Sequence, residues 1–317
     1  MLPWVARPVP DLPSADDRTR DAANCETSRS GNMNEPVIDI HPHIVSHDTD
    51  RYPITPIGGT RSDWSKERSV TFGELVSAMD DANVIKAAIV HSSTTYGFNN
   101  DLVADVLEGQ KSRFTGVFSV NITQPDAPER IRHWHSRGMT GMRIYVRGTT
   151  IKEAWLAIDD PAFAPSWKTV ADLGMSMCVN VLAKPVGIQQ IRNCLEAYPS
   201  VPLIVDHLGR PPIEDGPPYE LAKPWFELAK YKNLYLKLTP SGLEAVHQGK
   251  ADKKSYISKL VEVFGADHIA WGSNFPSSPG SLRDIVAEAH TDLAHLKTED
   301  RDWIFRKTAQ KLYPSLA

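Results

Sequence analysis

The sequence predicts a (β/α)8 barrel over residues 35–317, preceded by an N-terminal extension over residues 1–34. Three observations lead there. From residue 37 onward, apolar strand-sized runs alternate with helical periods in about eight units, and such an alternation implies a parallel sheet covered on its outside. No GxGxxG follows the first run, which counts against the nearest competitor, a doubly wound open sheet. Polar residues end nearly every predicted strand, where a barrel of this kind carries its chemistry.

The first 34 residues are rich in Pro, Asp, Arg and Ser and show no apolar period. They also lack the apolar core of a secretion signal, so they read as a tail outside the barrel. The first strand, VIDIHPH, leads into a long loop over residues 44–70 carrying Arg51, Tyr52, Arg61, Trp64 and Arg68. A loop of that length is expected to form a lid or a substrate wall. Phe72, Leu75, Val76 and Met79 then mark one face of the first long helix. The next pairs are KAAIVHSS with NNDLVADVLEGQ, FTGVFSVN with APERIRHWHSRG, and GMRIYV with APSWKTVADLG. After them come SMCVNVL with VGIQQIRNCLEAYP, PLIVDH with ELAKPWFELAKY, and LYLKL with KKSYISKLVEVFG. HIAWGSN with SLRDIVAEAHTDL and a last amphipathic segment, TEDRDWIFRKTAQKLY, complete the chain.

Composition narrows the function. A net charge of −4, from 35 basic and 39 acidic residues, supplies no polycation for nucleic acid. The longest apolar runs fall far short of the roughly 20 residues of a membrane span. Cys25, Cys178 and Cys194 have no CxxC spacing and are too few for a disulfide framework, which points to the reducing cytoplasm. The expected partner is a small anionic molecule, with a homo-oligomer as a further expectation.

The unusual residues lie at strand ends. Residues two apart on a strand point the same way, so His41 and His43 are expected to face the barrel interior together. Two neutral imidazoles so placed can share a metal, or donate hydrogen bonds to a carbonyl oxygen that becomes negative during acyl transfer. The ordinary alternative is burial with backbone carbonyls as partners, but His207 at another strand end favours a site. Arg143 sits within a strand run, where a charge demands a partner, and a guanidinium binds carboxylate or sulfonate with two prongs. Arg147, Tyr145, Ser92, Ser93, Asn180, Arg51 and Tyr52 complete the candidate substrate-binding set. By alternation Asp206 is expected to face away from His207 in a structural role, and Asp39 to point inward one layer deeper, orienting a histidine or an arginine. Trp271 reads as core packing. His133 and His135 read as surface groups on a helix, and His91 is expected either to enter the site or to pack at a strand end.

DIHPH at the first strand, VDHLGRP at residues 205–211 and WGSNFP at residues 271–276 carry a resemblance. Together with GMRIYVRG and RYP, they resemble the lactone-hydrolysing branch of the amidohydrolase superfamily, in the pattern of 2-pyrone-4,6-dicarboxylate lactonases and sulfomuconolactone hydrolases. The likeness runs from residue 37 to about 313. It implies a (β/α)8 hydrolase that opens a cyclic ester with water in aromatic-compound degradation. His41, His43 and His207 would polarise the lactone carbonyl, and Arg143 would hold a substrate carboxylate. The pattern's general-base aspartate falls on Asn274, and its arginine after strand seven is missing from LTPSGLEA. An amide is nearly the size of a carboxylate but has almost no basicity. The chain therefore reads as a member disabled at its base with its pocket intact, the alternative being a branch whose base lies elsewhere.

The resemblance also bears on metal. The fifth strand offers Asn180, a poor ligand, where related mononuclear decarboxylases place a histidine. That argues against a binuclear centre and against the second reading, a metal-dependent decarboxylase of an aromatic or muconate-like acid. His41, His43 and His207 remain candidate ligands for at most one Zn²⁺ or Mn²⁺, with no essential metal preferred. A third reading is a ligand-binding member without chemistry.

Overall fold

The computed structural model describes residues 35–317. The extension over residues 1–34, with Cys25, lies outside the described residues.

Eight strands hydrogen-bond in chain order, all parallel. They are β1 (Val37–Asp39), β2 (Val84–Val90), β3 (Phe114–Phe118), β4 (Met139–Ile144), β5 (Ser176–Val179), β6 (Leu203–Val205), β7 (Leu234–Leu238) and β8 (Ile269–Trp271). Their residues are buried almost without break, as expected for strands walled by helices on one side and packed side chains on the other. The seam between β1 and β8 is held by Ile40 N–H donating to Trp271 O at 3.3 Å. Asp39 strengthens it, accepting from Ser273 N–H, Ser273 Oγ–H and His41 N–H at 2.9, 2.5 and 2.9 Å. Asp39 is buried but not turned inward as expected: β1 sets Ile38 in the cluster inside the barrel with Ile204 and Ala270, so Asp39 falls on the opposite face and holds backbone and a serine instead of a histidine ring. Burial raises its pKa above the usual carboxylate range, against those three hydrogen bonds. Gly272 belongs to the same seam, because a Cβ there would sit 2.7 Å from His41 Cβ.

The predicted helices form where the periods lie, including Phe72–Asp81, Ala127–Ser136, Pro185–Ala197, Lys253–Phe264 and Leu282–Leu293. Thr71 caps the first of these in a full capping box with Glu74. ELAKPWFELAKY differs from its prediction: it breaks into Glu220–Ala222, Lys223–Phe226 and Glu227–Lys230 around Pro224. The final segment is interrupted by a π-helical stretch, Trp303–Lys307. Trp271 is core, edge-on to Phe305. His133 lies on the surface of helix Ala127–Ser136 beside Trp134, and His135 is part-buried on the same helix. Cys178 and Cys194 are buried free thiols. No helix among the described residues is long and apolar enough to cross a membrane.

Candidate active site

A cavity of about 470 Å³ opens at the C-terminal end of the barrel. Its lining includes His41, His43, His91, Ser92, Ser93, Arg143, Tyr145, Arg147, Asn180, His207 and Asn274. The exceptions among the candidates are Arg51 and Tyr52. Arg51 Nη2 and Tyr52 Oη both donate to Asp105 Oδ2, at 2.6 and 2.8 Å, which holds them outside the cavity. From the same loop it is Trp64 that reaches the site, stacking on His43 with ring centroids 5.3 Å apart.

β1 ends at Asp39, so His41 and His43 come from the irregular stretch after it. Their rings lie 5.0 Å apart, edge to face, and His207 lies 5.0 Å from His41. His43 Nδ1 stands 2.7 Å from Val90 O. A carbonyl can only accept, so Nδ1 carries the proton, and neutral His43 turns an Nε2 lone pair to the cavity. His207 Nδ1 meets Thr239 Oγ1 and Ser241 Oγ at 2.8 and 2.9 Å. Hydroxyls can donate to it, which frees Nε2–H to point at a ligand. His41 is buried with neither ring nitrogen hydrogen-bonded among the described residues, and Nδ1 is 3.7 Å from Asp206 Oδ1. Burial, with the nearby Arg143 and Lys237, lowers the imidazoles: His43 and His207 to about 3, and His41 well below its ordinary value. His91, which donates to or accepts from no site group, bonds Gly97 O at 2.9 Å through Nε2 and is lowered to about 4, chiefly by burial.

The floor corrects the reading of Asp206. His207 and Leu208 have φ of 54° and 59°, so strand alternation stops at β6 and Asp206 and His207 both line the cavity. Asp206 Oδ2 accepts from Arg143 Nε at 2.7 Å, and Oδ1 lies 2.9 Å from Lys237 Nζ. Burial alone would raise the Asp206 pKa, but the two cations outweigh it and hold the carboxyl well below its usual range. Lys237, fully buried on β7, also stands 3.7 Å from Cys178 Sγ. The charge of Arg143, placed within β4, identified a demand for a partner; the break in alternation hid which residue meets it.

At the opposite wall Asn274 has a φ of 54°, a conformation asparagine tolerates well, and its Nδ2 donates to Ser278 Oγ at 3.1 Å. Asn180 Oδ1 accepts from Val146 N–H at 2.7 Å and its Nδ2 donates to Arg147 O, so this amide holds the loop after β4. Ser92 and Ser93 bond Thr95 and Ser119. Sequence reasoning passed over Arg210, which also lines the cavity. Among the described residues every other arginine except Arg147 makes a side-chain hydrogen bond or ion pair. Two guanidiniums without a partner among the described residues thus border one cavity.

The residues do not fit a resident divalent ion. His43 has the tautomer of a metal ligand, yet no group of three or more His, Cys, Asp or Glu among the described residues is arranged to hold an ion. The carboxylate of the floor is already shared by two cations, which would oppose a third positive charge.

The amidohydrolase family profile matches residues 38–315. The chain belongs to that family. Over 122 residues it is 28% identical to an L-fucono-1,5-lactonase of Burkholderia ambifaria, a stretch covering 38% of this chain and only 41% of that protein. Over 237 residues it is 22% identical to a 4-sulfomuconolactone hydrolase of Rhizobium radiobacter, covering 70% of this chain and 74% of that one. A structure assigned as a 2-pyrone-4,6-dicarboxylic acid hydrolase from Pseudomonas putida superposes with a TM-score of 0.69 at 16% identity, over 89% of this chain and 98% of its own. A 2,6-dihydroxybenzoate decarboxylase from Rhizobium superposes with a TM-score of 0.61 at 15% identity, over 88% and 99%. At such identities the superpositions establish the barrel fold.

Proposed function

We propose that this amidohydrolase-family site opens an anionic lactone with water, on a carboxylated or sulfonated muconolactone- or pyrone-like ring, and that Asn274 leaves it without its general base. The observation carrying the reading is convergence: three imidazoles, buried His41 and His43 and half-buried His207, and Arg143 border one cavity, with His41 5.0 Å from each of the other two rings. The lactonase relatives and the family membership support it. A neutral His207 offers Nε2–H to the lactone carbonyl, where a buried donor aimed at developing negative charge is worth roughly a hundredfold or more in rate. Arg143, fixed through Nε by Asp206, keeps its terminal nitrogens for a substrate carboxylate. Thr239 and Ser241 stand in the segment after β7, where the pyrone dicarboxylate pattern carries an arginine, and they hold His207 instead. A second anion is therefore assigned to Arg147 and Arg210 at the rim.

The Asn274 amide can orient an attacking water but cannot accept its proton. The test is Asn274→Asp, assayed for ring opening on 4-sulfomuconolactone and 2-pyrone-4,6-dicarboxylate. General-base catalysis predicts a gain of about 10²–10⁴ in kcat, retained after chelation. Equal rates in both forms would place the base elsewhere. Tight binding with no turnover in either form would favour a ligand-binding member. Release of carbon dioxide would favour the decarboxylase, a reading that the engagement of Asn180 with the loop does not support.

A further inference from the structure

A second cavity, of about 220 Å³, lies between the ends of β7 and β8 and the helices Lys253–Phe264 and Leu282–Leu293. Leu243, Ile257, Trp271, Ile285 and Leu293 line it, all buried. Protein interiors contain few voids larger than a water molecule, and an apolar cavity of about 150 Å³ accepts benzene. This one is therefore large enough for a single ring, and its walls give such a ring apolar contact.

Its polar lining points to the active site. Thr239 and Ser278 both border it. Thr239 Oγ1 is the 2.8 Å partner of His207 Nδ1, and Ser278 Oγ accepts from Asn274 Nδ2 at 3.1 Å. Glu244 and Pro279 are walls common to both cavities. The charges differ, however. Lys253 lies 2.5 Å from Glu288 and 2.9 Å from Asp292, so its charge is spent within the protein. Glu244 has no ion-pair partner among the described residues and adds a net negative charge. The rim therefore carries net negative charge with no arginine on it, whereas the main cavity sets Arg143, Arg147 and Arg210 against the shared Glu244.

We infer that this second cavity binds an uncharged single-ring molecule, whose presence acts on the main site through Thr239 and Ser278. Binding from this side presses on the two hydroxyls that orient His207 and Asn274, with no contact to the arginines. The occupant is thus distinct from the anionic substrate.

Titration of toluene into the full chain, followed by the imidazole NMR signals of His207, tests this. Saturable binding that shifts those signals is expected, and benzoate should not displace the toluene. Ala289→Phe, which fills the cavity from helix Leu282–Leu293, should weaken binding at least tenfold. Absence of saturation, displacement by benzoate, or unchanged affinity in Ala289→Phe would overturn the proposal. Should that variant not fold, a crystal of the unaltered chain exposed to toluene decides: density beside Trp271 and Ile257 supports the site, and an empty cavity refutes it. None of these readouts needs lactone turnover, so their failure leaves the proposed reaction untouched.

Discussion

The floor and the rim of the main cavity handle charge in opposite ways. On the floor, Asp206, Arg143 and Lys237 have side chains no more than 7% exposed and are bound to one another at 2.7 and 2.9 Å. At the rim, Arg147 and Arg210 border open space and have no side-chain partner among the described residues. Buried charges are tolerable only when paired, whereas solvated ones can wait for a ligand. The floor is thus a fixed frame that orients Arg143, and the rim, in the function proposed, is where a ligand's second anion is received.

The largest effect expected from this contrast is on the floor. Asp206→Asn removes the carboxylate that pairs two buried cations, and breaking a buried pair in this way costs about 3–5 kcal/mol. Urea unfolding should show that loss, and a cost near zero would mean that solvent already reaches the trio. Acid should act on the same region. His43 and His207 stay neutral down to about 3 and His91 to about 4, chiefly through burial. An unfolded chain takes up these protons below about pH 6.5 while the folded chain does not. Stability should therefore be full above pH 6.5 and fall as the pH drops towards 3; a flat stability curve across that window would contradict the neutral assignment.

At the rim the expected effect is smaller and concerns binding. Measured in the Asn274→Asp background, Arg210→Ala should raise KM for a doubly anionic lactone about tenfold, the equivalent of one charge-assisted contact, and leave kcat nearly unchanged. A drop in kcat with constant KM would move Arg210 from binding into the chemistry. The smallest effect lies outside both regions. Thr71→Ala removes the capping box of helix Phe72–Asp81 and should cost about 1 kcal/mol in stability, with KM unaltered.

Much of this architecture is legible in the sequence because periodicity and strand-end polarity are local signals. The strand–helix alternation placed all eight strands, and the paired histidines reached a common cavity. What escaped reading depended on backbone conformation or on distant pairing. Left-handed His207 and Leu208 turned Asp206 inward, against the alternation that assigned it outward. Lys237, one polar residue within the apolar run LYLKL, acquires its role from Asp206 just after the neighbouring strand β6. Arg51 and Tyr52 were drawn away by Asp105, a surface acid with nothing in its local sequence to mark it. The tautomer of His43 follows from Val90 O, a contact between residues 47 apart in the chain.

The most direct test of the central claim is a crystal of the unaltered chain soaked with 4-sulfomuconolactone, in which the amide at position 274 should preserve the intact ring. Density is expected with one anionic group on the terminal nitrogens of Arg143 and the lactone carbonyl against His207 Nε2. A ring bound with its carbonyl turned away from the imidazoles, or bound outside the cavity that Arg143 shares with them, would contradict the account.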